Sequence, residues 1–365
     1  MSGLLGDLSG DFRTFDQARR VPAVPMQPVV DPAGWNAAEL RDVARWSYRL
    51  TGRDIDELVA AIAAFHRTGV AIAELAREHF PLRGFGEVLG EVRRELIDGR
   101  GIVMLQGFPV ERLSREDQAI GYLGLGSYLG RTMPQNKQGH VLGHVKDLGG
   151  DYNDPNTRGY MTRAEMRFHN DPCDYVGLLC LQTAKSGGVS RIASSVTVYN
   201  RMLAQRPDLA KVLTEDFYSS RSGEVNPGEA PWFKQPIFCF VDGYFSAGGI
   251  GALVDKAQGL PGVPPYTPAQ KEAIALYRRT VDESALDIGF DRGDVQFLNN
   301  HVLLHTRREY EDWPEDERKR HLLRLWLYDG ESRPIPVEKR KGRSGVGVQL
   351  KGVPLVAPLD VHAAV

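Results

Sequence analysis

Cysteine is scarce in this chain, and the few present do no evident chemistry. Cys173, Cys180 and Cys239 are the three in 365 residues; they form no Cys-x-x-Cys pair and cannot all be bridged. That excludes a disulfide scaffold and a cysteine zinc site, and reduced thiols are expected. An excess of either charge is also missing: 45 basic against 47 acidic residues leave a formal net charge of −2, too little to draw the chain to nucleic acid or an anionic membrane. The one basic cluster, Lys339–Arg343, reads as a solvated loop. No apolar run reaches membrane-spanning length, and the first fifteen residues lack the basic start and apolar stretch of a secretory signal. There is no internal repeat, heptad array, low-complexity tract or phosphate-loop signature, and Gly345 with Gly347 does not complete a dinucleotide fingerprint. The expectation is a cytoplasmic protein without nucleic-acid or membrane partners.

What the chain has is an ordinary globular composition, 42% hydrophobic and 25% charged, enough for a sizeable core. Residues 1 to about 35 read as a Pro- and Gly-rich surface arm. Amphipathic stretches over 37–50, 54–66 and 85–97 predict a helical layer. Residues 101–107 form a glycine-bounded strand, and 115–129 predicts another helix. Farther on, 197–213 reads as a helix with Pro207 opening a second turn of it, and 267–284 as another with Pro268 near its start. Between them Asp242-Gly243 marks a hairpin turn.

Three groups of polar residues interrupt strand-like segments. His169, Asn170 and Asp171 follow the alternating segment 163–168 and precede the apolar strand 175–182. With nine histidines and 47 acidic residues, a His-x-acid triplet is expected about once by chance, and the chain has one, so the triplet gains its meaning from position. At a strand end, His169 and Asp171 can project to the same side. Farther on, 293–305 reads as a turn, a strand and a polar exit; His301 and His305 would share a face of an unbroken strand, and either can supply a third ligand. The segment 320–328 puts Arg320, Leu322, Arg324 and Trp326 on one face. Two histidines and a carboxylate suit ferrous iron with open coordination positions, and arginines on an otherwise apolar strand require anionic partners. An arginine fork matches a carboxylate and stays charged at any working pH.

Taken in order, Phe168–Asp171, Ser186–Ser190, Gly293-Asp294 leading to Asn299–His305, and Arg320–Arg324 resemble the taurine dioxygenase and clavaminate synthase-like branch of the 2-oxoglutarate-dependent oxygenases, over roughly residues 100 to 330. The resemblance implies that His169, Asp171 and His305 are the catalytic iron ligands. It further implies that Arg320 and Ser190 hold the distal carboxylate of 2-oxoglutarate. Arg324 matches a second arginine that faces either the co-substrate or an anionic primary substrate. Asp171 stands where related halogenases carry Gly or Ala, which implies hydroxylation or another oxidation. Phe168 replaces the Trp usual in taurine-oxidising relatives, and the His305–Arg320 loop is longer than theirs, so taurine itself is not carried over.

The implied fold is mainly β with flanking helices, an α+β double-stranded β-helix, or jelly roll, of the clavaminate synthase-like kind. One catalytic domain is expected over 1–365: an arm and helical layer at 1–99, the jelly-roll core at 100–330 with an insert at about 197–285 that helps choose the substrate, and a tail at 331–365. The expected activity is an Fe(II)- and 2-oxoglutarate-dependent dioxygenase that hydroxylates or otherwise oxidises a small organic substrate, yielding succinate and CO2. Fe(II), 2-oxoglutarate and O2 are its cofactor and co-substrates. Gln135, Asn136 and His144, just before the first motif, are candidate substrate residues; an empty surface hairpin is the other reading of that segment. The competing classes are a metal-binding jelly roll with a non-oxidative or sensing role, and an oxygenase of protein side chains. The anionic character of the substrate and homo-oligomerisation are left open.

Overall fold

The computed structural model describes residues 20–150, 161–221, 225–336 and 352–360; the Lys339–Arg343 cluster and Gly345 with Gly347 lie outside the described residues. Seven strands make the main sheet. Its order is Ser47–Arg49, Ile102–Gln106, Val295–Asn299, Tyr175–Gln182 and His321–Tyr328, with Arg131–Thr132 and Gly143–Val145 both paired to the far edge of His321–Tyr328. Only the first pair is parallel. A second, antiparallel sheet consists of Leu286–Ile288, Ser190–Ser194 and Leu303–Arg307. The chain before the His-x-Asp triplet extends it: Met166 N–H donates to Arg307 O, and His169 forms a bridge with His305.

Alternation along the strands sorts the core into layers. On Val295–Asn299, Val295 and Phe297 join one apolar cluster with Leu323, Leu325 and Leu327, facing the helices; Leu298 joins Ile102, Val176, Ile192 and Trp326 in a second cluster between the sheets. The helical layer consists of Gly52–His66, Gly84–Asp98 and Arg115–Ser127. Gly52–His66 begins at a capping box between Thr51 and Asp54 and buries Leu58, Ala61, Ile62 and Phe65, spaced as one helix face requires. A cap of this kind contributes about 1 kcal/mol.

Three sequence expectations change. Residues 37–50 are not a helix but a short 3-10 turn, Val43–Arg45, leading into the edge strand Ser47–Arg49, because pairing to Ile102–Gln106 outweighs the local apolar spacing. The stretch 197–213 splits into Ser195–Gln205 and Pro207–Val212; Arg206, ahead of the proline, sits at φ −146°, as the ring of Pro207 demands of its predecessor. The polar segment before the triplet is not a free hairpin: its two short strands dock side by side on His321–Tyr328. The hairpin at Asp242-Gly243 forms as expected, with φ of 50° and 76° at the two turn residues. Part of the tail docks as well, Val356 bridging to His140 and Pro358 O accepting from His144 Nε2. Among the described residues no helix is long and apolar enough to cross a membrane.

Candidate metal centre and co-substrate pocket

His169 and Asp171 sit where the extended segment leaves the second sheet, and His305 lies in its neighbouring strand. Each offers a donor atom within 4.8 Å of the other two. The rings of His169 and His305 have centres 4.4 Å apart, and His305 Nε2 is 3.7 Å from Asp171 Oδ2. The other candidate, His301, is not part of this group. The sequence 295–307 is two strands broken by a turn at 300–302, so the shared face of an unbroken strand does not exist. His301 falls in that turn, where its Nε2 pairs with buried Asp174 at 2.9 Å. Asn170 and Asn300 fasten the two halves: Asn170 Nδ2 donates to Asn300 O and Leu303 O, and Asp171 N–H donates to Asn300 Oδ1.

The protonation states suit a cation. His169 Nδ1 lies 2.9 Å from Arg167 O, a carbonyl that can only accept, so the proton is on Nδ1 and the Nε2 lone pair is free. Burial, followed by the neighbouring His169, pushes His305 down to about 3, leaving a neutral imidazole. Burial works to raise the Asp171 carboxyl, but the charge of Arg324 holds it below the ordinary carboxylate range. Asp171 Oδ2 and His305 Nδ1 are buried without a hydrogen-bond partner. Two imidazoles and one carboxylate with an orphaned oxygen form the donor set of a facial ferrous site, so the residues fit the metal.

The insert presses on this centre. Gly249 and Gly251 lie against the backbone of the first histidine, where a Cβ on Gly249 would be 2.7 Å from His169 Cα. Ala247 N–H donates to His301 O, and Asp255 of the helix Ala252–Ala257 pairs with Arg167 at 2.5 Å.

Behind the triad stand the arginines. Arg324 reaches across from the main sheet: its Nε donates to Gln135 Oε1 at 2.8 Å, its Nη1 is 3.6 Å from Asp171 Oδ1, and its guanidinium lies 4.8 Å from the centre of the Trp326 ring. Arg320, just before the same strand, is buried, with Nη1 unpartnered. Its Nε and Cδ pass over Gly188, where a side chain would meet them at 3.1 and 3.3 Å, and both Gly187 and Gly188 have positive φ. Ser190 opens the adjacent strand directly opposite Arg307.

The three candidate substrate residues separate. Gln135 is buried and binds both the side chain and the backbone carbonyl of Arg324. Asn136 closes its own turn, bonding to His140. His144 is opposite Leu323, on the helix-facing side of the sheet, with its ring nitrogens engaged by His321 and Pro358. It does not face the triad. Sequence reading missed Arg307, which strand alternation from His305 would have put on the same face, and the glycines of the insert, which carried no local signal of contact.

Comparison with known proteins agrees with this geometry. Residues 68–326 match the family model described as taurine catabolism dioxygenase TauD, TfdA family. A protein named FR-33289 synthase from Streptomyces rubellomurinus is 28% identical over 331 residues, 89% of this chain and 97% of the relative. A taurine hydroxylase-like protein, SAT17, from Stachybotrys chartarum is 30% identical over 314 residues, 82% and 80% respectively. Among solved structures, asparagine oxygenase with Fe(II), 3-hydroxyasparagine and succinate superposes with a TM-score of 0.60 at 18% identity, covering 78% of this chain and 94% of that one. The non-haem iron oxygenase OrfP with Fe and alpha-ketoglutaric acid gives 0.60 at 16% identity, covering 83% and 99%. The sheet-rich α+β architecture is thus shared with these oxygenases, and the chain belongs to the TauD/TfdA family of Fe(II)- and 2-oxoglutarate-dependent dioxygenases.

Proposed function

We propose that this dioxygenase hydroxylates, or otherwise oxidises, a small organic molecule, with His169, Asp171 and His305 holding the iron and Arg320 and Ser190 holding the far carboxylate of 2-oxoglutarate. The observation that carries the reading is the pairing of a three-donor cluster with a buried, unsatisfied guanidinium behind it. A protein that only held a metal would have no use for Arg320, whose burial costs free energy until an anion reaches it. The paired sheets, the smaller extended by the segment before His169, support a double-stranded β-helix as the finer description of the fold. A single catalytic domain is supported by the site drawing on chain from both sides of the insert.

Iron chelated by 2-oxoglutarate supplies a two-electron oxidation of the substrate by dioxygen, releasing CO2 and succinate. The chain's own part is orientation. Arg167 O fixes the tautomer of His169, Asn170 and Asn300 hold Asp171 in register, and Arg324 keeps that carboxylate ionised. Gln135 and Trp326 in turn fix Arg324 at the wall that a substrate would meet. The relatives crystallised with hydroxylated asparagine and hydroxylated arginine make a small, polar, amino-acid-like substrate the first class to screen.

Anaerobic visible absorption of the protein with ferrous iron tests the reading. Adding 2-oxoglutarate should produce the weak charge-transfer band of the chelate. Asp171→Ala should lose the band, weaken iron binding and abolish 2-oxoglutarate decarboxylation. An Asp171→Ala variant with undiminished iron affinity and band would remove Asp171 from the site.

A further inference from the structure

A second buried cation packs on the same aromatic ring as Arg320. Arg307 follows His305 by two residues on the same strand face and is 6% exposed. Its Nη2 donates to Thr162 O at 2.8 Å and Ala164 O at 2.6 Å, but Nε and Nη1 are buried with no partner among the described residues. Its guanidinium is 4.7 Å from the centre of the Tyr310 ring, and that of Arg320 is 5.2 Å from the same ring. Arg320 Nη1, the Tyr310 hydroxyl and Asp312 Oδ2 are likewise buried without a partner among the described residues.

Unsatisfied polar atoms of this kind are expensive singly, and here they gather around one ring. Two carboxylates, Asp147 and Asp312, act on Arg307; Asp312 spends Oδ1 on the backbone N–H of Arg320, and burial raises its pKa, which weakens it as a counter-ion. A carboxylate entering this space would accept from both guanidiniums at once and offset their mutual repulsion.

We propose that Arg307 is a second guanidinium ligand of the distal carboxylate of 2-oxoglutarate, packed with Arg320 on the Tyr310 ring. This extends the reading that Arg320 holds that carboxylate. The pair selects a dicarboxylic keto acid over a monocarboxylic one, and through Thr162 O and Ala164 O it ties the bound acid to the segment that carries His169.

The test is calorimetric binding, without oxygen, of 2-oxoglutarate and of 2-oxobutyrate to the iron-loaded protein. Both chelate through the same keto-carboxylate, and only the first has a distal carboxylate. Arg307→Gln should weaken 2-oxoglutarate roughly ten-fold or more, as loss of a charged hydrogen bond does, while leaving 2-oxobutyrate nearly unchanged. Equal weakening of both acids would make Arg307 a strand tether only and overturn the proposal, as would no change in either. Arg307→Lys keeps the charge without the fork; it should lose part of the preference, and a full wild-type preference in this variant counts against the proposal even if Arg307→Gln does not fold. Arg320→Gln separates the two levels: if it loses the preference and the Arg307 variants keep it, this proposal alone falls. If Arg320→Gln keeps the preference, the pocket reading falls and takes this proposal with it.

Discussion

At the scale of single residues, the two histidines of the Leu303–Arg307 region divide the labour that sequence left undivided. His301 is fully enclosed with Asp174, which also accepts from Asp329 N–H, so its work is internal. His305 points its imidazole at Asp171 and His169. His301→Ala should therefore strand a buried carboxylate and cost about 3 kcal/mol of stability, with the iron affinity of the folded fraction retained. His305→Ala should lose iron affinity with little change in stability. Urea denaturation alongside a chelator-competition titration checks both, and the reversed pattern would exchange their roles. Strand alternation made the face shared by Arg324 and Trp326 readable in advance, because that period is fixed by the backbone; Arg320 lies just outside the strand, next to a register shift between His321 and Leu322. Alternation failed at 295–305 because a turn of three residues breaks the period, and nothing local in Asn299-Asn300-His301 announces where.

At the scale of elements, helices were legible from apolar spacing: 54–66, 85–97, 115–129 and 267–284 all correspond to helices, and Gly84–Asp98 forms without a side-chain cap. Thr267 with Gln270 and Pro268 marks the start of Pro268–Ser284, as Thr51 does for Gly52–His66. Residues 37–50 carry helical spacing, yet pairing with a strand more than fifty residues later decides their conformation. The insert was legible as a segment, and the family resemblance implied that it helps choose the substrate, but the close approach of Gly249 to His169 is written in space and not in any local pattern. Gly249→Ala should force that loop off the histidine. A displacement costing 1–3 kcal/mol is typical of such overpacking, and iron affinity should fall roughly ten-fold if the strain reaches the ligand. Chelator competition on a variant with wild-type circular dichroism measures this; undiminished affinity would mean that the loop yields and His169 does not move.

At the scale of the whole molecule, the buried groups that find no partner among the described residues concentrate around the triad and the two arginines, with others elsewhere such as Gln296 and Tyr199. A protein organised in this way should be stabilised by what it binds. Iron and 2-oxoglutarate together, each at about a hundred times its dissociation constant, should add about 2.7 kcal/mol for each independent binding event and raise the melting temperature by several degrees, with 2-oxobutyrate giving less. A melting temperature indifferent to both ligands, with binding shown directly, would sink the idea that these groups await them. The separation of the proposed ligands along the chain also sets a timetable. His169 and Asp171 leave the ribosome more than 130 residues before His305, and Arg320 follows later still. A nascent chain that has made the first half of the site owns two ligands and no third, and must finish the insert and three more strands before it can grip iron. Metal loading is therefore an event of the nearly completed polypeptide, and a synthesis halted inside the insert yields a fragment that cannot compete for the cell's ferrous pool.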